Sequence, residues 1–329
     1  MENTTRFQIL TFLLLFPLLG QSPDWVWPDP PEDPKVRWVG SIADISGYRK
    51  DSGVKTWLAR LLSGEQKPFF MQPMGLAVEN GLIAVADPGK KGVFILNPES
   101  RKYRFIGPDD VEKKALFVPI DVTWTDDGLA VTSTAGPGIW EFRKDGTFRR
   151  YLVPQADIGR LTGIRYHDGH YYVVDTERHG VLVLDRDGRY LRTLGKHGAE
   201  TGYLNYPTFL TVTPDGTIYV SDTMNFRVVS FRPDGSFRAA FGERGLAAGQ
   251  LNRPKGVGVD IAGRVYTIDT SFDNFQIFNQ NGSCLLVVSN SGHKTGELLS
   301  PTDLEIDGDM IYVTDTMNKR IQIFEMLYE

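Results

Sequence analysis

The stretch Ile218-Tyr219-Val220-Ser221-Asp222-Thr223-Met224-Asn225-Phe226-Arg227-Val228-Val229-Ser230-Phe231 returns near the C-terminus as Ile311-Tyr312-Val313-Thr314-Asp315-Thr316-Met317-Asn318-Lys319-Arg320-Ile321-Gln322-Ile323-Phe324. Weaker copies centre on Asp87, Asp175 and Asp269. A sixth, beginning at Leu129, carries Ser133 where the others have aspartate. The steps between these anchors are 46, 42, 47, 47 and 46 residues. Spacing this even marks a repeat architecture, in which each unit buries its apolar face against the next.

Working outward from Asp222, the fourth copy divides into four strands. Residues 210–213 form the first, and Pro214-Asp215-Gly216 makes a turn into the second, residues 217–221. The third is 227–231, and Pro233-Asp234-Gly235 turns into the fourth, 237–241. Asp-Gly suits tight hairpins because glycine reaches positive φ without a steric penalty. Four antiparallel strands in a unit of about 45 residues describe a propeller blade. The last copy stops after its third strand, while residues 36–42 resemble a fourth strand and precede the first copy. The expected fold is therefore all-β, a six-bladed β-propeller closed by an N-terminal strand that completes the last blade and removes two exposed edges.

The Asp-Thr-x-Asn-x-Arg motif, preceded by Ile-Tyr-Val, resembles the NHL repeat. So do the lead-ins at 195–207 and 242–254, of the form Gly-x-x-Gly ending in Leu-Asn-x-Pro. The resemblance covers residues 36–329, is weakest in the second blade, and is closest to exported bacterial proteins of this type. It implies the same propeller and leaves activity open.

Other features bound the possibilities. The chain has 329 residues with a formal net charge of −5, and its basic residues are scattered. A nucleic-acid binder would gather them on one face, so no nucleic-acid partner is expected. Cys284 is the only cysteine, which excludes an intrachain disulfide and a thiolate cluster. At the start of an apolar strand, it reads as a buried structural residue. Residues 1–22 read as a signal peptide whose apolar run is too short to span a bilayer. No transmembrane span is expected after processing, and the destination is periplasmic, envelope-associated or secreted. Residues 23–35, rich in proline and containing Trp25 and Trp27, form a spacer expected to pack back onto the propeller at 36–329.

A feature repeated in nearly every blade belongs to the architecture. Asp87, Asp175, Asp222, Asp269 and Asp315, with Arg227 and Arg320, are thus assigned to holding the turn between second and third strands. Function is sought where repeats differ, on the face carrying the second-to-third and fourth-to-first connections, hereafter the mouth face. The longest of these, residues 46–73, has a helical pattern containing Trp57 and Arg60, followed by Phe69 and Phe70. With Phe209, Lys255, His197 and His293 these make up the expected mouth-face binding residues. The first strands begin at Gly75, Asp121, Gly163, Phe209, Gly256 and Asp303, and Arg165 and Glu305 lie two positions further in. Asp121, Asp303 and Glu305 form the candidate hard-cation site, or else pair with Arg165 and Lys255.

No Gly-x-Ser-x-Gly elbow or Walker-type loop occurs. No catalytic residue is assigned. The sequence supports a binding or scaffold module for a protein, peptide or glycan, with no cofactor. The alternative is a calcium- or zinc-dependent hydrolase or lyase working at the central channel, with or without the two histidines.

Overall fold

The computed structural model describes residues 25–29, 32–44, 49–50, 69–112, 114, 117–136 and 138–327. The expected signal peptide and the helical pattern with Trp57 and Arg60 lie outside the described residues. Six sheets follow one another around a ring, antiparallel throughout except for the short edge strand Arg49–Lys50, which runs parallel to Lys102–Ile106 in blade one. Blade four consists of Leu210–Val212, Ile218–Asp222, Arg227–Phe231 and Phe237–Phe241, within a residue of the expected bounds. Its two turns place Gly216 and Gly235 at φ +79° and +90°, the conformation for which Asp-Gly is selected.

The ring closes as the sequence predicts. Val36–Ile42 pairs antiparallel with Arg320–Met326, from Val36 opposite Met326 to Ile42 opposite Ile321. The spacer adds a further short strand, Val26–Trp27, along the outer edge of Val36–Ile42. Trp27 meets Phe324 edge-on at 5.5 Å. Closure joins the two ends of the chain through backbone hydrogen bonds, which covers edges that would otherwise offer unpaired amides.

Each seam between adjacent blades is filled by its own hydrophobic cluster, six in all among the described residues. Alternation along the strands explains this, since side chains at every second position face one neighbour and the rest face the other. Phe69 and Phe70 belong to the cluster between blades six and one, against Phe94 and Tyr103. Both are buried. This corrects the expectation of a binding surface: two adjacent phenylalanines beside a blade edge gain more by entering the seam than by facing water. Cys284 is half-buried at the rim of another seam, not fully enclosed, and burial pushes its thiol up.

Toward the axis the blades alternate between small and large. A Cβ on Gly75 would lie 2.5 Å from the Asp121 Cα, one on Gly163 2.8 Å from the Phe209 Cα, and one on Gly256 2.6 Å from the Asp303 Cα. Blades one, three and five supply glycine so that blades two, four and six can supply Asp121, Phe209 and Asp303. Phe209 is accordingly buried in the packing at the axis, which corrects its placement on the mouth surface. Gly256→Ala is expected to destabilise the fold by about 3 kcal/mol or more, because backbone cannot yield as a side chain would. Thermal melts beside an Ala substitution at the open turn residue Gly308, which has no atom within 4 Å of such a Cβ, separate crowding from backbone strain.

Candidate functional site at the channel mouth

The repeated aspartates do structural work. Asp87 accepts from the amides of Met71, Gln72 and Lys90. Asp175 accepts from those of Gly159, Arg160 and Arg178, and Asp269 from those of Asn252, Arg253 and Ser271. In the two strongest repeats arginine completes the device. Arg227 Nε donates to Asp222 at 2.8 Å while Nη2 donates to the carbonyls of Tyr203 and Glu200. Arg320 does the same with Asp315 and the carbonyls of Glu297 and Lys294. The carboxylate thus clamps the lead-in loop to its own blade. Ser133 performs a weaker version by accepting from the amides of Val118 and Ala135.

The threonine after the aspartate reaches the next blade. Thr176, Thr223, Thr270 and Thr316 donate to the carbonyls of Pro207, Pro254, Pro301 and Pro73, all at 2.7–2.8 Å. The last bond crosses from blade six to blade one. These hydroxyls satisfy carbonyls that the sheets leave unpaired at the mouth.

Below this rim lies the charged axis. Asp121 Oδ2 accepts from the Ile164 amide of blade three, and Asp303 Oδ2 from the Leu76 amide of blade one. Arg165 reaches between them, with Nη1 3.1 Å from Asp121 and Nη2 3.0 Å from Glu305 and 3.7 Å from Asp303. The guanidinium therefore occupies the point on which the three carboxylates converge, and it is the cation of the site. Of the two roles open to these residues in the sequence, pairing with Arg165 is the one the geometry displays. Lys255 takes no part in it. Among the described residues, no group of three or more His, Cys, Asp or Glu side chains is arranged so that it could hold a metal ion.

Burial sets the chemistry of this cluster. It pushes the carboxyls of Asp303 and Glu305 up to about 6 and about 7, against the pull of Arg165, and holds Asp121 well above the usual carboxylate range. Arg165, held by three acids, stays charged. Arg165 Nε and Asp303 Oδ1 are buried without a hydrogen-bond partner.

The histidines divide. His293 is exposed and held by Asn318 at 2.6 Å. His197 is exposed and stacks on His179, ring centroids 4.1 Å apart. The Tyr206 amide donates to His179 Nδ1 at 3.0 Å, and the Tyr206 ring meets the His179 ring edge-on. Burial and the neighbouring His197 lower the pKa of His179. Sequence reasoning paired His197 with His293 and missed His179. The available signal was positional: a second-to-third turn in one blade faces the lead-in loop of the next, which brings residue 179 to 197. His167 and His170 are opposed across their hairpin on the far face.

A family model for six-bladed β-propellers matches residues 155–241. The chain is a six-bladed β-propeller. No curated protein matches its sequence. Similar solved structures include virginiamycin B lyase from Staphylococcus aureus, at 13% identity and a TM-score of 0.57, covering 78% of this chain and 96% of that one. A protein of unknown function from Bacteroides thetaiotaomicron aligns at 16% identity and a TM-score of 0.60, over 80% and 72% of the two chains. An auxiliary nutrient binding protein from the same organism gives 12% and 0.60, over 78% and 69%. At these identities the likeness extends to the propeller fold alone.

Removing Arg165 leaves two buried acids and the half-buried Glu305 unpaired, so Arg165→Met is expected to cost about 3–5 kcal/mol near neutral pH. Because the carboxyl pKa values are raised, the folded state binds protons that the unfolded state releases. Stability carried by Asp303 and Glu305 is fully present below about pH 4 and is lost as pH rises through 6 to 7. The deficit of Arg165→Met should accordingly shrink from pH 8 to pH 5, and adding Glu305→Gln and Asp303→Asn should restore part of it. Denaturant melts across that range check both statements; a pH-independent deficit would mean that the carboxylates do not depend on Arg165.

Proposed function

We propose that the propeller is an exported recognition module that holds a protein, peptide or glycan across its mouth face. The observation that carries this reading is the distribution of exposed apolar side chains. Of the ten large hydrophobic residues exposed among the described residues, Met71, Val153, Tyr206, Met224, Leu246 and Met317 sit in mouth-face connections. Met224 and Met317 occupy the same turn position in blades four and six, two residues after the clamping aspartate. Thioether side chains adapt to varied partners at little cost, and exposed aromatics supply rigid contact area.

Two further points favour binding over chemistry. The acids at the axis are engaged by Arg165, which leaves no free carboxylate pair there, among the described residues, for general acid–base work. The clamps and threonine bridges make the mouth rigid while varying its surface from blade to blade, as suits a scaffold for recognition. Export rests on the apolar N-terminal run of the sequence. The similar structures include both a lyase and a nutrient binding protein, so the fold itself accommodates either role.

A paired substitution tests the reading. Met71→Lys, Met224→Lys and Met317→Lys together should abolish capture of the natural partner from envelope fractions and leave the melting temperature within about 2 °C, as exposed sites permit. Leu191→Lys with Ile261→Lys, on the far face, should leave capture intact. The reverse pattern would assign recognition to the far face and overturn the proposal.

A further inference from the structure

The residue immediately before each axial position forms a ring at the mouth: Met74, Ile120, Thr162, Thr208, Lys255 and Thr302. In blades three, four and six this threonine pairs with the threonine of its own turn. The oxygens of Thr162 and Thr176, and of Thr208 and Thr223, lie 2.8 Å apart, and those of Thr302 and Thr316 2.7 Å. Blade five keeps the turn threonine, Thr270, but puts Lys255 opposite it. The first strand of that blade is Pro254–Val259, and its register with Val265–Asp269 shifts between Pro254 and Val257. Such a bulge re-aims the side chains it contains.

Lys255 is half-buried, and its backbone carbonyl accepts from the Ser221 hydroxyl of blade four. Its amine has no hydrogen bond or ion pair among the described residues, which is rare for a lysine removed from water. The charge that bears on it is that of Arg253, two residues earlier, and Arg253 repels it. Burial and this repulsion bring the Lys255 amine down to about 8, so it remains mostly cationic at neutral pH. Arg253 is exposed; its amide is tied to Asp269, while its guanidinium is free among the described residues. Two adjacent cations without a counter-charge among the described residues stand in contrast to Arg165, which is paired with three acids.

We propose that Lys255 and Arg253 form a receptor at the channel mouth for an oxyanion group, a carboxylate, sulfate or phosphate, carried by the ligand of the mouth face. The proposal rests on the recognition reading above. An anion seated between the two cations removes their repulsion and replaces the hydration that the lysine has lost. The lysine serves as a compact point charge at depth, and the arginine adds a fork at the rim.

The full-length protein, with its lysines labelled by carbon-13 reductive methylation, provides the test. The Lys255 signal is assigned by its disappearance in Lys255→Gln. Sodium sulfate, phosphate and acetate are each titrated against sodium chloride at equal ionic strength. The expected result is a saturable shift of that signal, with the apparent pKa of Lys255 rising by about one unit, equivalent to tenfold coupling. Arg253→Gln should weaken the response about tenfold, and no saturable site should remain in Lys255→Gln. Preference for acetate would identify an acidic peptide or uronate carboxylate, and preference for sulfate or phosphate an ester. A Lys255 signal that behaves identically in chloride and in all three salts would overturn the proposal, as would a site that survives Lys255→Gln. Either failure leaves the methionine-surface experiment unaffected, so the oxyanion receptor and the recognition face are separately falsifiable.

Discussion

Crowding at the axis is the constraint from which the rest of this structure follows. Six first strands converge there, and there is no room for six side chains at the same level. The solution alternates Gly75, Gly163 and Gly256 with Asp121, Phe209 and Asp303. Each large residue lies over the backbone of the preceding blade's glycine. Two of the three large residues are aspartates whose carboxylates accept an amide from the blade that follows. That choice ties blades together by hydrogen bonds but introduces buried negative charge. Arg165, projecting from blade three toward blade six, is the compensation, and it draws in Glu305 as well. An ion cluster at the axis is thus a consequence of packing, and its existence is no argument for catalysis.

The mouth obeys a second rule, that its backbone groups must be satisfied although the sheets have ended. In five repeats an aspartate collects amides from the lead-in loop or its own turn, and in blades three to six the threonine after it caps a carbonyl of the next blade. A carboxylate accepting several amides is a strong, directional clamp. It explains why Asp222 and Asp315 are buried and still useful, and why Ser133 makes blade two the poorest copy: a hydroxyl offers fewer acceptor sites than a carboxylate. These rim bonds and the hydrophobic seams lock neighbouring blades, and the pairing of Val36–Ile42 with Arg320–Met326 makes the ring continuous.

What was legible in the sequence follows from this division. The fold was readable because it is periodic: the step of Asp222 to Asp269 to Asp315 carries the architecture, and the missing fourth strand of the last repeat implies the closing one. The clamps were readable for the same reason. Side chains that meet across blades were harder, because no period links residue 179 to 197 or 165 to 305. Phe69, Phe70 and Phe209 were misplaced because an aromatic residue in a connection looks the same in sequence whether it caps a seam or faces solvent. Only the packing of Phe94 and Tyr103, and the glycine at 163, decides the matter.

The two basic residues on the channel illustrate how a propeller separates holding itself together from holding something else. Arg165 and Lys255 sit on first strands of blades three and five, yet their surroundings differ in kind. Arg165 is paired with three acids, and its removal would strand those acids. Lys255 has no such group among the described residues, and the charge that bears on it, that of Arg253, is repulsive. A buried ion with partners contributes to the fold; a partly buried ion without them costs stability, and such a cost is the usual mark of a site shaped by function. The same logic applies to Met224 and Met317, whose exposure gains the folded chain nothing. Where the repeat is kept, the ring is being closed. Where it is broken at no benefit to packing, as at Lys255, the departure faces the mouth.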